Sequence, residues 1–172
     1  LTSAAAGGTF EGPVTVLLSK SAGGGQDDGT SADTITNSKG VELNVVGNSI
    51  TFDAGLTVTG SATAVDTITV IADGDGTGAV LNGTTYINKV VVQDSLTSGE
   101  DVVITPRATD ASTPTLSIDG SALDAGTGNA GETLTLTGTS VTVTTLNITG
   151  GGAADSLYGG QKNDTIEGGV GI

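Results

Sequence analysis

The chain has 172 residues, 5 Lys and Arg against 19 Asp and Glu, no His, no Cys and a formal net charge of -14. Without His or Cys there is no Ser-His-Asp triad, no Cys nucleophile and no ordinary zinc, copper or iron–sulfur site. So few cations cannot neutralise a phosphate backbone, so nucleic acid is not an expected partner. No apolar run reaches the roughly 18 residues of a membrane span, so no membrane insertion is expected.

Helical periodicity is missing, and the abundant Thr, Val and Gly are poor helix formers. Period-2 alternation recurs instead. In chain order it predicts strands over Val14–Leu18, Val41–Val46, Ser49–Phe52, Leu56–Thr59 and Thr67–Ile71. It continues with Tyr86–Gln93, Val102–Thr105, Thr115–Ile118, Thr133–Thr137 and Ser140–Thr149. Clusters of Gly, Asn, Asp and Ser between them are turn chemistry, as at Gly23–Thr30, Asp73–Gly78, Ser98–Asp101 and Asp124–Gly131. Aromatics are only 2% of the chain, so the core must be built from Val, Ile, Leu and Ala. A thin aliphatic core suits layered or stacked strands.

Between 133 and 149 the aliphatic residues Leu134, Leu136, Val141, Val143, Leu146 and Ile148 alternate with Thr or Asn. One face is aliphatic and the other a row of hydroxyls. A phrase of Asp, then Thr or Ser, then Ile or Leu begins at Asp33, Asp66, Asp94, Asp155 and Asp164. It places an acid at the entry of a strand whose second residue points inward. Its irregular early spacing argues against one uniform solenoid through the whole chain.

The last stretch is regular. Gly-Gly pairs occur at 150, 159 and 168, Asp at 155 and 164, and an aliphatic at Ile148, Leu157 and Ile166. All three series share a period of nine residues. Glycines permit tight turns, the Asp puts a carboxylate at the end of each turn, and one aliphatic points into a narrow core. Units this small cannot fold alone and must stack. Stacking sets carboxylates in rows, which repel unless a cation lies between them.

These residues resemble the calcium-binding nonapeptide repeat of RTX proteins, G-G-x-G-x-D-x-U-x. The resemblance implies a parallel β-roll in which six-residue turns alternate sides and Ca2+ lies between stacked turns. Residue by residue it assigns Asp155 and Asp164 to the metal, with Gly151, Gly160, Gly169 and Gly171 in the turns. At the fourth position Ala153 and Lys162 depart from the pattern, and Lys162 sets a cation inside a turn. Outside the repeat, Asp73 and Asp75 in Asp73-Gly74-Asp75-Gly76 have the spacing of a hard-cation loop, without the later Glu of an EF-hand. Asp27 and Asp28 beside Asp33, and Asp119 and Asp124 with Glu132, are further acidic turns.

The expected fold is all-β: a β-sandwich or irregular β-solenoid over residues 1–148, then the start of a parallel β-roll over 149–172. The chain stops inside a repeat and reads as a piece of a longer protein. No catalytic constellation is present, so an enzyme is not expected. The resemblance implies a secreted, type I exported, extracellular structural protein of the surface-layer kind. Its partner would be itself, in a lattice or filament, with Ca2+ as the staple and cell-surface glycans as a further contact. The alternatives are a stalk or ligand module of an RTX adhesin and the non-catalytic tail of a secreted RTX enzyme. Within the adhesin alternative, a flat threonine row such as Thr133, Thr135 and Thr137 resembles the water-ordering face of ice-binding β-solenoids, which needs Thr-x-Thr stacked at fixed coil spacing.

Overall fold

The computed structural model describes residues 13–18, 33–37, 40–47, 49–51, 56–72, 78–94, 101–108, 111–123 and 131–171. The expected turns at Gly23–Thr30, Ser98–Glu100 and Asp124–Ala130, with Asp73 and Asp75, lie outside these residues. The strands are β1 (Val14–Leu17), β2 (Asp33–Thr36), β3 (Leu43–Gly47), β4 (Ser49–Thr51) and β5 (Leu56–Thr59). They continue with β6 (Thr67–Ala72), β7 (Gly78–Val80), β8 (Thr84–Thr85), β9 (Lys89–Asp94) and β10 (Asp101–Thr105). The last are β11 (Thr115–Asp119), β12 (Thr133–Thr137), β13 (Thr145–Thr149), β14 (Ser156–Tyr158) and β15 (Thr165–Glu167). No helix occurs among the described residues.

Neighbouring strands pair in parallel, each with the strand one coil away, and the result is a β-solenoid. The first sheet has seven strands in the order β1-β3-β6-β9-β11-β13-β15. The second has five, β14-β12-β10-β7-β4, and the third has three, β2-β5-β8. Parallel neighbours need a crossover, and here the crossover is the rest of the coil. A two-sheet sandwich of antiparallel hairpins is therefore not the architecture.

Alternation explains the core. In β12 Leu134 and Leu136 are buried while Thr137 faces out, and in β13 Leu146 and Ile148 are buried while Asn147 faces out. Coil upon coil, Val16, Val45, Ile68, Val90, Ile118, Ile148 and Ile166 occupy one register column of the first sheet. Each fully buried aliphatic of this column contributes about 2 kcal/mol over an exposed one.

The coils are unequal. Ile68 pairs with Val90, Val90 with Ile118 and Ile118 with Ile148, and only Ile148 with Ile166 spans two nonapeptides. The irregular spacing of the Asp phrase therefore does not interrupt the solenoid. The extra residues fall between strands, and the ladder keeps its register.

The cross-section also changes. From β3 to β9 the chain visits the first, second and third sheets in turn. After β9 the described strands alternate between the first and second sheets. The edge of the third sheet at β8 is closed by Arg107, whose Nη1 donates to the Thr84 carbonyl. A guanidinium on an edge carbonyl blocks the pairing that an open strand invites. Beside it, the Thr144 hydroxyl donates to the Thr113 carbonyl at 3.0 Å. A cavity of about 10 Å³ remains there, lined by Leu81, Thr84, Ile87 and Arg107 among others. It has room for one water and none for a substrate.

Two predicted strands start three or more residues late. Tyr86–Gln93 starts only at Lys89, because Tyr86 has a left-handed backbone with φ 57° that turns the corner. Ser140–Thr149 is a strand only from Thr145, since Val141 is buried at a corner, with its N–H on the Gly138 carbonyl. At Asp94 the Asp phrase ends a strand instead of opening one.

Candidate functional site

Three copies of the Asp phrase share one geometry. Asp155 stands just ahead of β14. Its Oδ2 accepts the Gly151 N–H of its own turn at 2.7 Å, and its Oδ1 accepts the Leu134 N–H of the preceding coil at 2.8 Å. Asp164, just ahead of β15, repeats this with Gly160 at 2.6 Å and Leu146 at 2.7 Å. Asp66, just ahead of β6, accepts the Ser61 N–H on Oδ2 and the Leu43 N–H on Oδ1 at 2.8 Å. Asn37 Nδ2 donates to the same Oδ1 at 2.9 Å.

The carboxylate thus joins a turn to the coil beneath it. Each acid occupies the register place of an inward aliphatic: Thr67 pairs with Asn44, Ser156 with Thr135 and Thr165 with Asn147, so Asp66, Asp155 and Asp164 lie over Leu43, Leu134 and Leu146. Asp66 is fully buried, and among the described residues its carboxylate is held by amide donors and not by a cation. The glycine before each turn makes room for the acid. A side-chain carbon on Gly159 would stand 2.6 Å from Asp164 Oδ2, and one on Gly150 would overlap Asp155 Oδ2.

The turns at 150–154 and 168–171 stack on the same side. The Val170 N–H donates to the Gly151 carbonyl at 3.2 Å, and any side chain on Gly169 or Gly171 would strike the carbonyl of Gly151 or Ala153. Gly169 also has φ +77°. The nine-residue period is thereby explained: one nonapeptide builds a turn and a strand of one sheet, and the next returns on the other. Asp155, Gly151, Gly169 and Gly171 come together on one side, while Gly160 and Asp164 lie on the other with the exposed Lys162.

The donors of the first group are carboxylate and backbone oxygen, the type a hard cation takes. Each Asp oxygen that accepts one N–H keeps a second lone pair. Among the described residues no three acidic side chains cluster, so a cation at the stacked turns would meet Asp155 and main-chain oxygens but no acidic group of three. Ca2+ takes 6–8 oxygens. The residues present fit it in kind and supply part of such a shell.

Asp119 belongs to a different setting. It accepts the Ser121 hydroxyl at 2.7 Å and the Ser121 N–H at 3.2 Å, and Lys89 Nζ lies 3.9 Å away. The Ser121 hydroxyl above all holds its carboxyl below the ordinary aspartate value against the opposing effect of burial, aided by the Ser121 N–H and the Lys89 charge.

The threonine row at 133–137 stays local. Thr135 pairs with Val103 and Thr137 with Tyr158, so that surface is mixed. On the third sheet, Thr34 pairs with Thr57, and Thr36 with Thr59, which pairs with Thr85. Their hydroxyls touch, at 3.3 Å for Thr57 and Thr34 and 3.1 Å for Thr59 and Thr85. The signal was Thr-x-Thr at 34–36 and at 57–59, which only the register aligns. Asp66 carries the same Asp phrase, but its turn with Gly60-Ser61 was not marked as a site, because it is one residue longer than the nonapeptide allows.

Comparison of the chain with protein-family models, with curated proteins and with solved structures finds no match.

Proposed function

We propose that this solenoid is a module of a secreted, self-assembling extracellular structural protein whose C-terminal turns take up calcium. The observation that carries the proposal is the stacking of the 150–154 and 168–171 turns, with Asp155 at the end of one turn and the carbonyls of Gly151 and Ala153 facing the other. In this scheme Asp155 and those carbonyls hold the ion, and Gly169 and Gly171 let the turns approach. Asp164 and Gly160 serve the opposite side. The net charge of -14 supports the scheme, because divalent cations relieve the repulsion that compaction creates. Extracellular calcium modules bind at roughly 10⁻⁴ to 10⁻³ M, so the ion would act outside the cell.

Electron microscopy of the native protein, with calcium and after chelation, tests the proposal. Ordered sheets or filaments that dissolve on chelation are expected. Isolated monomers in both conditions would overturn self-assembly.

The third sheet favours a second reading, a ligand module of an adhesin. Strands stack about 4.8 Å apart, and alternate residues along a strand lie about 6.6 Å apart. Thr34, Thr36, Thr57, Thr59 and Thr85 therefore form a regular hydroxyl grid suited to ordered water. Thermal hysteresis of ice growth, lost in Thr59→Tyr, is the outcome that would favour it.

A further inference from the structure

Asn82 and Gly83 form the only Asn-Gly pair in the chain. They are the central residues of the turn from β7 into β8, which the Thr84 N–H closes on the Leu81 carbonyl at 3.1 Å. The Thr84 hydroxyl donates to the same carbonyl at 2.8 Å. Leu81 and Thr84 are buried, but Asn82 between them is exposed. The Gly83 carbonyl accepts the Val58 N–H of β5 at 3.0 Å, and among the described residues no group accepts the Gly83 N–H.

That combination is reactive. The amide nitrogen after an asparagine can attack its side-chain carbonyl carbon. A Cβ on the following residue crowds that approach, and glycine has none. An N–H held in a ladder must first break its hydrogen bond. The same chain supplies the contrast. At Asp119-Gly120 the Gly120 N–H donates to the Thr149 carbonyl at 2.8 Å, and Asp119 Oδ1 accepts the Ser121 hydroxyl and N–H. Attacking and attacked groups are both engaged there. Asn147 and Asn163 are exposed too, but Ile148 and Asp164 follow them.

We propose that Asn82-Gly83 is a site of spontaneous deamidation, and that its isoaspartate product opens the edge of the third sheet. The Gly83 nitrogen gives its proton to hydroxide and bonds to Cγ of Asn82. The bond from Cγ to Nδ2 breaks, and that nitrogen takes a proton from water and leaves as ammonia. Water then opens the five-membered imide at either carbonyl, to aspartate or to isoaspartate. Both products add one negative charge to the net -14. Isoaspartate alone also inserts a carbon into the main chain. The insertion falls just ahead of β8, which has two residues in which to recover its register. It displaces the Gly83 carbonyl from Val58, and Thr85 from Thr59, whose hydroxyls lie 3.1 Å apart. The reaction depends neither on calcium nor on assembly.

The test ages the full chain in mildly alkaline buffer and maps it by mass spectrometry that separates isoaspartate from aspartate. Asn82 should convert at least tenfold faster than any other asparagine, with isoaspartate in excess, while Asp119 keeps its normal linkage. Gly83 is not left-handed, so the backbone tolerates Gly83→Ala, which should slow conversion at least tenfold. In the isolated isoaspartate form the Val58 amide should exchange at least tenfold faster than in the fresh chain. Asn82→Asp, with the same charge and a normal main chain, should leave Val58 protected. The Leu134 amide, which bonds to Asp155 on the second sheet, should not change in either. An Asn82 that converts in urea but survives in the folded chain would overturn the proposal, because the turn would then protect it. Faster conversion at another asparagine, aspartate as the sole product, or unchanged Val58 exchange in the isoaspartate form would overturn it too.

Discussion

A buried aspartate depends on every amide aimed at it. Asp66 accepts from Asn37, Leu43 and Ser61 at a fully buried position. Asp66→Ala strands those donors, so a loss of about 3 kcal/mol or more is expected in urea unfolding. Asp66→Asn keeps one acceptor but turns an NH2 toward a second amide, and about 1–3 kcal/mol should be lost. Equal stability of wild type and Asp66→Ala would show that water replaces the carboxylate. Asp119 gives a pH-dependent counterpart. Its folded pKa lies below the ordinary value, so its contribution is present above the unfolded aspartate range. The contribution is lost as pH falls through the folded value. In Ser121→Ala the titration of Asp119, followed by NMR, should move up toward ordinary aspartate, because the largest cause of the depression is gone.

An element in this fold holds its place through its register neighbours. The 168–171 turn rests on the carbonyl of Gly151 through the Val170 N–H, and it needs a left-handed residue at Gly169. Gly169→Ala pays for the left-handed backbone, about 1–2 kcal/mol, and also overlaps the Gly151 carbonyl. Hydrogen exchange should show the 168–171 turn opening while β6 and β9 keep their protection, since the stack opens from its ends. Loss of protection throughout would mean the coils unfold as one unit. Strand identity was legible at this scale wherever alternation ran unbroken, as in β5 and β12, whose limits match the alternation. It was not legible for β7 and β8, which are two or three residues long and carry no period of their own. Those strands exist because a neighbouring coil offers a ladder to pair with.

The whole molecule is a stack whose coils contact chiefly their neighbours, so stability sums along the axis. Calcium bound only by the folded turns would add to it by mass action, about 2.7 kcal/mol per site at a hundredfold excess over Kd. The thermal midpoint of the 172-residue chain should therefore rise with calcium and fall on chelation. Asp155→Ala should weaken that rise, while Asp66→Ala lowers the midpoint equally with and without the ion. A midpoint indifferent to calcium would remove the ion from the C-terminal turns and leave Asp155 and Asp164 as amide staples alone.

Composition and local pattern by themselves determined that this chain is all-β, that its core is aliphatic and thin, and that its last residues repeat every nine. These properties follow from residue type and near-neighbour spacing. The nine-residue spacing also marked Asp155, Asp164 and the turn glycines as one kind of position. Only the tertiary structure decided that the strands ahead of residue 149 also pair in parallel, that the described strands lie on three sides up to β9 and on two after it, and that Asp66 bonds amides as Asp155 and Asp164 do. It alone aligned Thr34, Thr36, Thr57, Thr59 and Thr85 on one face. The physical reason is that coil length varies freely in turns, while register is set by the stacking of inward side chains from strands far apart in the chain. A pattern confined to one strand cannot carry that information.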